Sequence, residues 1–326
     1  MRVVHVGLGD FGLWWCNVLY ERMKERKDIE LIAIVDRDKD THKHVSEYDV
    51  PCYTDLADAL EAGKPDFVLN STPPYAHMAV NRVAFSHNIP VLMEKPISED
   101  FEEVLECLEF ADNGQKLMIA ESYRHFIHTI FVKEQLAKHL HNLSSVNMVF
   151  RRHHKEAGKY HFDMEHPTLI DISIHHFDLL RFLTGKEVWK LSAQLNTPEW
   201  SWYKGVSNVK VIAEMDDNVQ FCYDASMDSY GETSWIGNWT FTAENGVARL
   251  IDDKLHFHME DSCFSLDLPQ EDEVADKHRM LDAFMAYIRG GPVPQTDIQD
   301  QVKNAAIAEA TIQAAKKGCA VEVRLR

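Results

Sequence analysis

The chain has 326 residues, 52 of them acidic and 34 basic, for a net charge of −18. That length exceeds one ordinary core and fits two domains, and a hydrophobic content of 45% belongs to a globular chain, not a disordered one. So acidic a surface repels phosphate backbones and anionic lipid, which argues against nucleic acid and membrane as partners. The six cysteines are scattered and form no CxxC, the pattern of buried free thiols in a reducing compartment. The N-terminus opens at once on strand-like "RVVHVG" without a basic-then-apolar leader. No apolar run approaches the roughly 20 residues of a membrane helix. A soluble, cytoplasmic protein is the expectation.

Strands and helices alternate through the first third. Strands are expected over 3–6, 31–35, 67–70, 91–93 and 117–120, and helices over 11–26, 41–48, 55–62, 75–86 and 99–113. The strands are short, apolar on both faces and rich in Val, Ile and Leu, as in a parallel sheet covered by helices on both sides. After Glu121 the rhythm changes. A helix over 127–139 leads to a strand over 146–153, an irregular segment, a helix around "LIDISIHHFDLL", and strands over 188–195, 209–215, 219–225, 235–242 and 246–251. Alternation such as "VKVIAEM" predicts a largely antiparallel sheet with one face against helices. Helices over 273–289 and 298–317 close the chain. The fold class is therefore α/β: a Rossmann domain over 1–121 and a second α/β domain with an open sheet over 122–326.

"HVGLGDFG" places Gly7, Gly9 and Gly12 between a strand and a helix. Glycines there permit a tight turn, backbone approach to a pyrophosphate and close helix packing. The helix N-terminus then turns its N–H groups on the phosphates, so Leu8, Asp10 and Phe11 join the candidate cofactor residues. The second strand ends in Asp36, which can hydrogen-bond a ribose 2′-hydroxyl and would repel a 2′-phosphate, favouring NAD, with NADP the alternative. Arg37 is a second candidate there, because a guanidinium can stack on adenine or meet a phosphate. "STPPYAH" follows the strand ending at Asn70, where ligands bind in such sheets, and offers Ser71, Thr72, Pro73 and His77; an ordinary surface histidine is an equal reading of His77. "MEKP" puts Glu94, Lys95 and Pro96 at the end of the next strand. An ammonium there can hydrogen-bond a substrate hydroxyl and stabilise a developing alkoxide, although most lysines in turns are merely solvated.

These motifs, in order and with "D-x-x-x-H-x-x-D" at Asp171, His175 and Asp178, resemble the Gfo/Idh/MocA oxidoreductases, which include glucose-fructose oxidoreductase and inositol dehydrogenases. The likeness covers essentially the whole chain. It implies an N-terminal Rossmann domain, a C-terminal domain whose open sheet often forms the oligomer interface, bound NAD or NADP, and a sugar, polyol or related carbohydrate substrate. It assigns the family's catalytic lysine to Lys95, its aspartate to Asp171 and its histidine to His175, with a proline after the lysine that is often cis. It also implies a homodimer or homotetramer. The chain departs from the family where "EHPTL" and Ser173 replace small glycines around the catalytic helix.

Helical geometry separates the adjacent histidines. At about 100° per residue, Asp171, His175 and Asp178 share a polar face, whereas Leu169, Ile172, His176, Leu180 and Leu183 share an apolar one. His176 is thus expected in the core. His175 is the expected general acid/base, since imidazole titrates near neutral pH and can take the proton of an alcohol being oxidised. Lys95 would polarise the substrate oxygen, Asp171 would orient His175 or bind a second hydroxyl, and Asp178 would be structural.

"RRHHKEAGKYHFDMEH" leads into this helix and, by the resemblance, borders the substrate. His153, Tyr160 and His161 are the substrate candidates in it, and Tyr123 and Arg124, just past the last Rossmann strand, are two more, with a domain-hinge pair an equal reading of them. His153, His161, Asp163 and His166 could hold zinc in principle, but the spacing is loose and hydride transfer needs no metal, so none is expected. Trp14 and Trp15 cannot both face the core. Trp235 and Trp239 are expected on one strand, packing on a sheet face. Two other functions fit the same residues: a hydrolase or lyase in which NAD oxidises the sugar transiently, and a non-enzymatic NAD(P)-binding sensor, against which the intact lysine, aspartate and histidine argue.

Overall fold

The computed structural model describes residues 1–155 and 159–325, without the side chains of residues 159 and 160. It divides the chain into two compact units: Met1–Ser122 with Glu273–Val302, and Tyr123–Asp272 with Lys303–Arg326.

In the first unit the elements are β1 (Arg2–Val6), α1 (Asp10–Glu25), β2 (Glu30–Val35), β3 (Cys52–Tyr53), α2 (Leu56–Gly63), β4 (Phe67–Asn70), α3 (Pro74–Ser86), β5 (Val91–Met93), α4 (Phe101–Asp112) and β6 (Leu117–Ile119). The segment expected as a helix over 41–48 is a 3-10 helix, Lys39–Tyr48. All strand pairs are parallel, in the order β3-β2-β1-β4-β5-β6. This is the doubly wound order, whose switch point lies at the carboxyl ends of β1 and β4. Asp55 and Asp100 cap α2 and α4 by accepting the N–H two residues on.

A correction concerns the domain division. The segment 273–302 was expected in the second domain but belongs to the first unit. It carries the helix Ala275–Ile288, whose Met280, Leu281, Phe284 and Met285 are buried with Trp15, Leu19 and Phe67. Phe284 meets Phe67 edge-on at 5.5 Å. The Ile119 N–H donates to the Thr296 carbonyl. An apolar stripe docks where uncovered sheet is available, whatever its place in the chain.

The second unit holds α5 (Ile127–His139), β7 (Leu143–Arg151), the short α6 (Lys159–Asp163), a π-helical stretch (Thr168–Ser173) running into α7 (Ile174–Thr184), then β8 (Val188–Asn196), β9 (Asn208–Met215), β10 (Gln220–Ser226), β11 (Asn238–Ala243), β12 (Gly246–Ile251), β13 (Lys254–Met259) and β14 (Cys263–Asp267). In chain order, the helix Ala275–Ile288 is α8, Ile298–Lys317 is α9 and the last strand, Val321–Glu322, is β15. Among the described residues these strands form a sheet in the order β14-β13-β12-β11-β7-β10-β9-β8-β15. It is antiparallel except for the β7–β10 pair. The strands β13 and β14 were not foreseen, although "KLHFHM" alternates as a half-buried strand should. The expected strand at 235–242 begins only at Asn238. Trp239 is on it and fully buried, while Trp235 precedes it and is partly exposed. One face of the sheet is buried with Phe177, Leu180 and Leu183 of α7.

Among the described residues, no helix is long and apolar enough to cross a membrane.

Candidate functional site

At the switch point, two turns meet backbone to backbone. Gly7 has φ +103°, and a Cβ there would lie 2.8 Å from the Thr72 nitrogen. A Cβ on Gly12 would lie 2.3 Å from the Gly7 carbonyl oxygen, so only glycine closes the turn onto α1. A Cβ on Gly9 meets no described atom within 4 Å, and no side chain caps the helix beginning there. Open space over an uncapped helix N-terminus is what a pyrophosphate requires. The Asp36 carboxylate accepts from the Leu8 N–H at 2.7 Å and from the Asp38 N–H at 2.9 Å, which fixes it beside the glycine turn. Leu8 is buried, whereas Asp10 and Phe11 are exposed at the start of α1. Arg37 lies over the Tyr75 ring at 5.9 Å and donates to its hydroxyl. These residues fit a dinucleotide.

Ser71 donates to the Val6 carbonyl, and its hydroxyl lies 2.8 Å from His5 Nε2. The N–H and hydroxyl of Thr72 both donate to Asn70. Pro73 is exposed and caps α3. His77 differs from its expected place lining the cofactor. It is fully buried, with Nδ1 2.9 Å from the Pro96 carbonyl and Nε2 2.8 Å from that of Thr72. Burial pushes its pKa down to about 4 against the pull of those carbonyls. Both nitrogens thus face backbone carbonyls of the turns after β4 and β5, and the one N–H of the neutral ring donates to one of them.

The Lys95–Pro96 peptide bond is cis. Glu94 is buried; it accepts from the Trp15 indole N–H at 2.6 Å and from the Lys95 N–H at 3.0 Å. Trp15 is thus the buried member of the tryptophan pair, and half-buried Trp14 meets Phe11 edge-on.

In the second unit, the ring of Tyr123 stacks on His175 at 4.3 Å and 13°. His175 is 5% exposed and His176 fully buried. The His176 ring is taken by the core, with Nδ1 2.8 Å from Tyr223 Oη and Nε2 2.9 Å from the Trp235 carbonyl. Burial pushes its pKa down to about 3. Tyr223 donates to Ser173 Oγ, and Ser173 donates to the Thr168 carbonyl. Ser173 therefore wires the π-helical stretch to the sheet. That stretch also corrects the helical-wheel reasoning: a wider turn breaks the 100° spacing between Asp171 and His175, so the two are not simply one α-turn apart.

Asp171 lies 3.2 Å from His161 Nε2. Asp178 is fully buried, and both its oxygens are engaged by Arg124, at 2.7 and 2.6 Å, with Asn304 donating to one of them. Arg124 is itself buried, and its guanidinium holds this carboxylate. His153 stacks on Tyr230 at 4.4 Å and meets Trp202 edge-on. The Tyr160 side chain lies outside the described residues. The side chains that sequence reasoning did not single out are Tyr223, Asn304 and the α8 pair Asp276 and Lys277. They come from distant segments and carry no motif.

Residues 1–122 match the oxidoreductase family model with an NAD-binding Rossmann fold, and residues 137–249 match the GFO/IDH/MocA C-terminal domain. The chain belongs to the Gfo/Idh/MocA oxidoreductase family. Its first unit is accordingly an NAD-binding domain. An inositol 2-dehydrogenase of an Arthrobacter species is 26% identical over 69% of this chain and 70% of its own length. An Agrobacterium radiobacter oxidoreductase, solved with NAD+, L-tartaric acid and magnesium, superposes with a TM-score of 0.86 at 20% identity, covering 99% of this chain and 98% of that one. A myo-inositol dehydrogenase from Corynebacterium glutamicum superposes at 0.80 with 20% identity, covering 99% of each chain.

Proposed function

We propose that this oxidoreductase oxidises a secondary hydroxyl of a cyclic polyol, sugar or related carbohydrate, and reduces the corresponding ketone in reverse. Bound NAD supplies the hydride acceptor. The residues beside it are Gly7, Gly9, Gly12 and Asp36, and the Asp36 carboxylate favours NAD by repelling a 2′-phosphate. Lys95 donates a hydrogen bond to the substrate oxygen and stabilises negative charge developing there. His175 takes the hydroxyl proton and returns it in the reverse direction. Asp171, paired with His161, binds a second hydroxyl and so orients the ring.

The observation that carries this reading is the contrast between the adjacent histidines. His176 is held neutral with both nitrogens facing core partners. His175 is stacked flat on Tyr123, an arrangement that fixes the plane of its imidazole. Relatives named inositol 2-dehydrogenase support the substrate class. The test is NADH absorbance with NAD+ across inositols, sugars and glycosides. His175→Asn is expected to lose about 10²–10⁴-fold in turnover while binding NAD+ normally. Glycoside cleavage without net NADH would instead favour the transient-redox hydrolase.

A homodimer or homotetramer through the outer face of the large sheet is part of the same reading. Val149, Trp189 and Ile212 are 39%, 43% and 60% exposed, and such side chains are usually covered in an assembly. Sedimentation of Ile212→Glu against the unaltered chain tests it. All six cysteines are free, which fits a cytoplasmic location.

A further inference from the structure

Lys277 lies in the first unit, on the helix that returns from the far end of the chain, and it is 3% exposed. A lysine so buried needs partners. Its Nζ donates to Asp276 Oδ2 at 2.6 Å and sits 4.4 Å from the ring centre of Trp14 and 5.8 Å from that of Trp15. Trp15 in turn donates to Glu94, and Glu94 accepts from the Lys95 N–H through its other oxygen. We propose that Lys277 is a positioning residue for Lys95, acting through the Glu94 carboxylate. The proposal rests on the role given to Lys95 above.

The two donors on Glu94 favour its ionised form. Trp15 Nε1 and the Lys95 backbone nitrogen can only donate, and they meet different oxygens. An ionised carboxylate accepts on both oxygens; a protonated one turns one of them into a donor. Burial works the other way and raises the Glu94 pKa, while the nearby Lys277 charge pulls it back. The charged groups acting on Glu94 are Lys277 from α8, itself paired with Asp276, and Lys95 beside it in the chain; α1 contributes the neutral Trp15. Asp276 Oδ1 is buried without a hydrogen-bond partner among the described residues, so Lys277 is the one partner of that carboxylate among them. On the opposite side His77 reaches the Pro96 carbonyl, so the Lys95–Pro96 turn is gripped from both ends. Remove Lys277, and Glu94 protonates, one grip is lost, and the Lys95 side chain is no longer aimed.

The experiment compares the full-length chain with Lys277→Met, Lys277→Arg and Lys95→Ala, using myo-inositol and NAD+. Lys277→Met is expected to lose about a hundredfold in kcat at neutral pH, the scale of a misplaced reacting group, with the Kd for NAD+ unchanged. The acid limb of its pH profile moves to higher pH, and Lys277→Arg restores most of the rate. Infrared spectra supply a readout that does not need turnover. Lys277→Met should show the carbonyl stretch of a protonated carboxyl at neutral pH, and the double variant with Glu94→Gln should lack it. If Lys277→Met keeps its kcat and pH profile, or shows no such band, the proposal is overturned even when Lys95→Ala is inactive. If Lys95→Ala stays fully active, the role of Lys95 fails, and this inference falls with it. Should Lys277→Met not fold, a Trp15→Phe variant removes one donor from Glu94, and the same loss of kcat is expected.

Discussion

The glycine turn and the His175 helix place their working groups in opposite ways. At the turn, atoms are missing: Gly9 faces open space, and Gly7 and Gly12 stand where any Cβ would strike backbone within 3 Å. At the helix, atoms are crowded: His175 lies on Tyr123, His176 is tied to Tyr223 and Trp235, and Asp178 is gripped by Arg124 and Asn304. A phosphate needs room and bare N–H groups, so the backbone itself makes that site. A proton-transferring imidazole, the role proposed for His175, needs a fixed plane, which surrounding side chains can supply. Substitutions should hurt each region in its own manner.

The largest expected effect on stability is at the crowded site. Asp178→Ala leaves the Arg124 guanidinium buried without its carboxylate and is expected to cost about 3–5 kcal/mol, read from denaturant unfolding. Gly12→Ala tests the empty site: its Cβ would sit 2.3 Å from the Gly7 oxygen, so the turn must open. The expectation is about 1–3 kcal/mol of destabilisation together with loss of NAD+ binding in a calorimetric titration. Equal NAD+ affinity in this variant would break the comparison. Tyr123→Leu keeps the bulk but removes the stacking, and about 0.5–1.5 kcal/mol of stability is expected to go with it. Its kcat should fall while NAD+ affinity holds.

The smallest effect is a pH dependence. Burial raises the carboxyl pKa of Glu187, but Arg181 and Lys303 outweigh it and hold the value down at about 2. A depressed carboxyl stabilises the fold above its ordinary value of 4.5, and that contribution fades as pH falls from there toward 2. Glu187 is 43% exposed, so solvent screens the pair and the effect is modest. Melting temperature against pH should fall less steeply between 4.5 and 2 in Glu187→Gln than in the unaltered chain.

The same contrast explains what the sequence made legible. The glycine turn is local: strand, Gly7, Gly9, Gly12, helix and Asp36 lie within 36 residues, and periodicity with glycine spacing suffices to read them. The assignment of His176 to the core was also legible, because Leu180 and Leu183 mark the apolar stripe. The partners of the crowded site were not. Asn304 lies 126 residues from Asp178, Tyr223 lies 47 from His176, and no spacing rule reaches so far. The π-helical stretch at Thr168–Ser173 was hidden for a related reason, since it is held by Ser173 and Tyr223 and not by any helix-breaking residue. The α8 segment carries an ordinary amphipathic pattern that states which face is apolar but not which sheet it will cover. Strands β13 and β14 were readable in principle from their alternation.

The most direct test is to measure turnover and NAD+ affinity of His175→Asn side by side. The account predicts that NAD+ binds as tightly as to the unaltered chain while NADH formation from the best polyol or sugar substrate falls by at least a hundredfold. Full turnover in His175→Asn would contradict it, because the proton would then be leaving by another route.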